Sequence, residues 1–450
     1  MPGACRLSIG DGTKHTQHRM TIEMKLAQYS MGIGDRFGHQ GQAQLAAFVR
    51  AAQQGLHVVP VWNKSNREHL IVHSQPAAVR QEADAAVQAL HWSGGYHVDA
   101  DHIGLKTVDR FLGVSDFFTI DVADFIAEPA AADAVDALIA SMAAIGERPA
   151  IAGLTQPLLL TPQRIAEIAG KYLVAVQEAG RVYRHIEKHK GRGNFITEVS
   201  MDETDRSQTP VDLLVILAAL AQEGIPVQTI APKFTGRFNK GVDYQGDLRQ
   251  FEQEFNDDLA VVAFAVQHFR LPADLKLSVH SGSDKFSIYE PIRRALGLWH
   301  AGLHLKTAGT TWLEEIAALA AAGDDGLSLA RDIYAAALAR FDELCGPYAS
   351  VIDIDRAALP GGPQVQAWTG TRFAAAIRHD PADSRYNPSL RQLLHVGYKL
   401  AAEAGERYTR LLDKYASAVG AEVTANLFTR HLLRIFPAAE SHQDHGGHRG

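Results

Sequence analysis

The 450-residue chain has only two cysteines, Cys5 and Cys345, too few and too far apart for a disulfide framework or a zinc ribbon. A reducing, cytoplasmic setting is the expectation that follows. No apolar run approaches the ~18–20 residues that a membrane helix needs. Residues 1–23 carry His, Lys and Arg without a continuous apolar stretch, so they read as a disordered leader and not as a secretory signal. Positive charge is not in excess: the formal net charge is −7, which argues against general affinity for nucleic acid or an anionic membrane. Several catalytic signatures are missing too. There is no GxSxG element and no P-loop, and Gly191-Arg192-Gly193 stands before a strand pattern, not after one as a phosphate-binding loop would.

What the chain does have is a repeated alternation of short apolar strands, polar turns and helices. The strand patterns lie at residues 28–33, 57–62, 96–102, 117–121, 194–200, 227–231, 276–280 and 302–307. Thr161-Pro162 and Thr209-Pro210 mark helix starts, with Thr as N-cap and Pro in the first turn. Thr310 or Thr311 is the expected cap of the helix after the eighth strand. Eight strands each paired with a helix predict a (β/α)8 TIM-like barrel over residues 24–326, with a doubly wound sheet as the alternative. Residues 327–437 are nearly all helical in pattern and predict an extension packed on the barrel. Residues 438–450, with three histidines, read as a disordered tail.

Ionisable residues gather at the predicted strand exits, and a barrel would bring such distant groups to one rim. Glu198, His280 and His304 form an oxygen–nitrogen–nitrogen set suited to a divalent ion such as Zn, Mn, Co or Ni. The plainer reading of each histidine alone is a core residue. Asp101, at the end of Tyr96-His97-Val98-Asp99-Ala100-Asp101-His102, is the expected acid–base residue, with helix capping as its structural alternative. His102, Asp202 and Lys306 are expected at the substrate, as are Ser281, Asp284 and Lys285 in the turn after the seventh strand. Lys233 and Arg237 sit in a basic, glycine-bracketed loop suited to a carboxylate, unless that loop is simply solvated.

Four of these segments, taken in order, resemble the tagaturonate epimerase family. They are Tyr96–Gly104, Ile196–Glu203, Ala231–Gly241 and Leu277–Phe286, and the resemblance runs from about Met24 to Pro437. It implies a metal-dependent interconversion of D-tagaturonate and D-fructuronate in hexuronate breakdown, with neutral ketohexoses (tagatose and fructose) as alternative substrates.

Those two ketouronates differ at a carbinol carbon β to the ketone. The carbonyl does not acidify that C–H bond directly, so retro-aldol cleavage and re-addition is the expected route. In it, Asp101 moves the hydroxyl proton, while Lys233 or Arg237 holds the carboxylate or stabilises oxyanions. Lys233 and Lys306 are the Schiff-base candidates should no metal be needed. A class II-type aldolase and a non-catalytic sugar-acid binding protein are the competing functions. The expected partner is a small ketouronate or ketohexose, with room for a homo-oligomer.

Overall fold

The computed structural model describes residues 24–437, apart from 205 and 308, so the leader and the His-rich tail lie outside the described residues. Eight parallel strands close on themselves in chain order: β1 (Tyr29–Ile33), β2 (Val59–Ser65), β3 (His97–Ile103), β4 (Phe117–Asp121), β5 (Ile196–Ser200), β6 (Thr229–Ala231), β7 (Lys276–His280) and β8 (Leu303–Lys306). The circle is sealed by β8 pairing with β1, Ser30 against His304 and Gly32 against Lys306. Each strand is short and almost wholly buried, as parallel strands covered by helices must be.

One end of the barrel is plugged. Lys276 donates from Nζ to the carbonyls of Leu26 (3.1 Å) and Ala27 (2.7 Å), and Leu26 packs with Val61, Phe117 and Ile196. Chemistry is therefore confined to the other end, where the strands finish.

The helix starts follow the local rules. Thr161 accepts a hydrogen bond from Arg164 N at the head of Pro162–Lys190, and Thr209 and Asp212 form a capping box on Pro210–Gln222. The helix after β8 departs from expectation. Gly309 occupies its N-cap and Thr310 is its first residue. Thr310 instead spends its hydroxyl on Asp284 Oδ1, at 2.9 Å.

From Asp324 onward the chain is a set of helices laid against the barrel. Its anchors are polar as well as apolar. Trp312 Nε1 donates to Leu394 O (2.7 Å) and Tyr408 Oη to Glu315 Oε2 (2.7 Å). Arg391, wholly buried, reaches Gly241 O (2.6 Å) and Asp284 Oδ2 (2.8 Å). No helix among the described residues is long and apolar enough to cross a membrane.

Candidate active site

Lys306, the last residue of β8, lies in the bore at the open end. Its Nζ is 2.7 Å from Asp99 Oδ2, 2.9 Å from Asp101 Oδ1 and 3.0 Å from Glu198 Oε1. These carboxylates come from β3 and β5, neither of them a neighbour of β8, so the contacts cross the barrel. Burial opposes the lysine's charge, but Asp101, Asp99 and Glu198 together outweigh it and hold the ammonium well above its usual range. One cation cannot satisfy three buried anions. Burial, with Asp101 and Glu198 adding to it, pushes Asp99 up to about 7 despite Lys306. The hydroxyls of Thr119 and Thr229 complete the support, donating to Glu198 Oε1 (3.0 Å) and Oε2 (2.7 Å).

Above this network stand two histidines. His280 at the end of β7 sets Nε2 2.9 Å from Glu198 Oε1 and Nδ1 3.2 Å from Asp202 Oδ1. The second approach falls outside hydrogen-bond geometry, which leaves buried Nδ1 without a hydrogen bond among the described residues. His102 has Nδ1 3.2 Å from Asp121 Oδ2 and Nε2 3.8 Å from Asp101 Oδ1. The two imidazoles meet edge to face with centroids 5.2 Å apart.

His102 stands there because β3 slips register between Ala100 and Ile103 and its own φ is +49°. A left-handed histidine in a strand is strained, and such strain gathers at functional sites. Asp202, just past β5, is held in line by Met201 N bonding Ala231 O at 2.9 Å.

His102, Asp202 and His280 each offer a donor atom, all within 4.8 Å of one another. Burial works against charge on all three. The carboxylates nonetheless raise His280 to about 9 and His102 well above the usual range, and the two histidines depress Asp202. Protons bound in this way are what a metal ion displaces when it takes over neutralisation of such a cluster.

The model of the tagaturonate epimerase family matches residues 13–418. The chain belongs to that family. A tagaturonate/fructuronate epimerase of Thermotoga maritima is 26% identical over 417 residues, 85% of this chain and 80% of that protein. Two crystal structures of fructuronate-tagaturonate epimerase UxaE from Cohnella laeviribosi share the fold at 23% identity. The native form has a TM-score of 0.74 over 90% of this chain and 81% of that one. The two-glycerol complex has 0.75 over 92% and 83%. Family membership makes the chain a carbohydrate epimerase, an isomerase.

In this family member the expected site residues divide. Asp101, His102, Glu198, Asp202, His280 and Lys306 converge. His304 does not join the donor cluster. Two residues before Lys306, it sits deeper in the bore, bonded through Nδ1 to Ser30 Oγ (2.9 Å) and packed on Phe117. Burial lowers it to about 3, so it is a neutral core imidazole.

The turn after β7 faces away from the cluster. Ser281 Oγ caps Lys306 O (2.8 Å), Lys285 Nζ bonds Ser283 Oγ (2.9 Å), and Asp284 is buried under the extension. Arg237 points outward to Asp353 at 3.5 Å, half exposed. Lys233 touches the fold through its backbone, with its N–H donating to Gln208 Oε1 and its C=O accepting from Gln208 N. Neither side chain makes a hydrogen bond or salt bridge to the cluster among the described residues.

Proposed function

We propose that this chain interconverts D-tagaturonate and D-fructuronate, with a divalent cation held by His280 Nδ1, His102 Nε2 and Asp202. The observation that carries the metal site is the division of labour on each imidazole. His280 gives Nε2 to Glu198 and His102 gives Nδ1 to Asp121, so the other nitrogen of each ring is free to ligate. Glu198 is thereby an orienting carboxylate. The donor set of two nitrogens and one oxygen suits Zn, Mn, Co or Ni. A bound cation would supply a Lewis acid that polarises the ketone and acidifies the adjoining hydroxyl.

The chain's own groups handle the proton. Asp101 faces burial that would raise it, but Lys306 holds it ionised, ready to accept the proton of the β-carbon hydroxyl. Loss of that proton opens the bond between the α and β carbons, leaving an enediolate and an aldehyde. The aldehyde turns its opposite face, the bond re-forms, and Asp101 returns the proton to the inverted hydroxyl. Lys306 fixes Asp101 throughout at 2.9 Å. Because the C–H bond of the inverted carbon never breaks, the product formed in heavy water carries no deuterium there.

The test is metal-stripped protein, reconstituted ion by ion and given tagaturonate, with products separated by chromatography. Fructuronate formation that depends on the ion supports the reading. Accumulation of two three-carbon fragments would point to an aldolase. Full activity after chelation, with a lysine adduct trapped by borohydride, would overturn the metal scheme.

A further inference from the structure

A small cavity of about 40 Å³, room for a carboxylate-sized group, is walled by both barrel and extension. The barrel supplies Arg36 after β1, Arg67 and Glu68 after β2, and Lys240 after β6; the extension supplies Tyr348, His395 and Tyr398. Three cations therefore face one carboxylate. That carboxylate is already taken, with Arg36 Nε 2.9 Å from Glu68 Oε1. Arg67 and Lys240 have no salt bridge among the described residues; each lies instead over the ring of Tyr348, at 5.1 and 5.8 Å. Buried Arg36 Nη1 and His395 Nδ1 likewise make no hydrogen bond. Arg67 stands at the exposed rim, but leaving half-buried Lys240 without a counter-charge and the buried nitrogens of Arg36 and His395 unused is costly unless an anion completes the set.

The cavity adjoins the chemistry electrostatically. Glu68 feels Asp101, and Lys240 feels Glu203, the neighbour of Asp202. Arg237 and Lys240 share one loop, yet only Lys240 turns inward.

We propose that this cavity is the subsite for the terminal carboxylate of the sugar acid, held by Lys240, Arg67 and the free edge of Arg36. The helical extension thereby forms part of the substrate site. The assignment rests on the ketouronate epimerase reading above, and it makes the chain select acids over neutral ketohexoses. A neutral sugar leaves the three cations unanswered.

The test uses the full chain as wild type, Lys240→Met, Arg67→Met and Lys240→Arg, each loaded with the same cation. In each Met variant the KM for tagaturonate rises about tenfold to a hundredfold, the scale of one lost charge-assisted hydrogen bond. The preference for tagaturonate over tagatose in kcat/KM falls by a similar factor, and Lys240→Arg recovers most of it. A second measurement is independent of turnover: tagaturonate raises the wild-type Tm more than equimolar tagatose does, and both Met variants lose that excess. An unchanged KM and an unchanged excess in both Met variants would overturn the subsite. Wild type that binds tagaturonate with the carboxylate-dependent excess but does not epimerise it would overturn the reaction and leave the subsite standing.

Discussion

His280 and Asp284 are four residues apart on one turn, and both are buried, charged and strongly shifted in pKa, yet they belong to opposite kinds of site. Asp284 is closed. Arg391 Nη2 (2.8 Å), Thr310 Oγ1 (2.9 Å) and His379 Nδ1 (3.2 Å) hydrogen-bond a carboxylate with no exposure, and His431 Nε2 approaches it at 3.3 Å without a hydrogen bond. Burial would raise it, but Arg391 and the histidines hold it well below the usual carboxylate range. His280 is open: one nitrogen is engaged, the other faces Asp202 and His102 without a hydrogen bond. Perturbed ionisation alone does not separate the two. The grouping of donor atoms does: among the described residues His102, Asp202 and His280 bring three within 4.8 Å of one another, and Asp284 with its histidines forms no such set.

Substitutions should break the comparison in opposite directions. His280→Ala removes a proposed ligand but leaves Glu198 its partners Lys306, Thr119 and Thr229. Turnover of tagaturonate should fall on the order of a thousandfold to ten-thousandfold, about 4–5.5 kcal/mol of barrier, while Tm stays near wild type. Asp284→Ala should do the reverse. It strands a fully buried Arg391, which costs about 3–5 kcal/mol of stability in a denaturant titration; the protein that remains folded should retain the greater part of its turnover. Loss of stability in the first variant, or none in the second, would remove the distinction. Glu198→Gln keeps the shape but weakens the carboxylate that orients His280. Metal affinity by competition with a chelator should drop about tenfold to a hundredfold, the usual cost of losing such a partner.

The same pair of sites explains what was legible beforehand. The barrel was, because each strand is a short apolar run with a polar exit and the Thr-Pro starts cap their helices by local rules. Asp101, Glu198, His280 and Lys306 were found as rim residues for the same reason. His304 was assigned to the rim although the eighth strand pattern, 302–307, already placed it mid-strand; on the same face as Lys306 and two residues before it, His304 lies one layer deeper. His102 was placed correctly at an exit, but the register slip that turns it toward His280 has no local signature. The extension's contributions were out of reach. Arg391, Tyr348 and His395 meet the barrel only through tertiary packing, and nothing within the helix Pro388–Val396 marks its arginine as buried. Thr310 was read as a cap, and its hydroxyl was instead recruited by Asp284.

The smallest expected effect probes the closed site by pH. Glu314 lies in the same seam, buried, accepting from Asn426 Nδ2 at 3.2 Å. Burial raises it to about 7; Arg391 and Arg430 oppose that shift, while Asp284 and Glu422 add to it. The folded state thus binds the proton more tightly than the unfolded chain, whose carboxyl titrates near the ordinary value of about 4.3. The resulting stability is fully present below that value and is lost as pH rises through about 7. Glu314→Gln does not titrate. Between pH 5 and pH 8 the wild-type Tm should therefore fall relative to the variant, by roughly a few degrees. A difference that stays flat would mean Glu314 is ionised in the fold. The seam would then carry unneutralised charge as the rim does, and closure by internal partners would no longer distinguish the two.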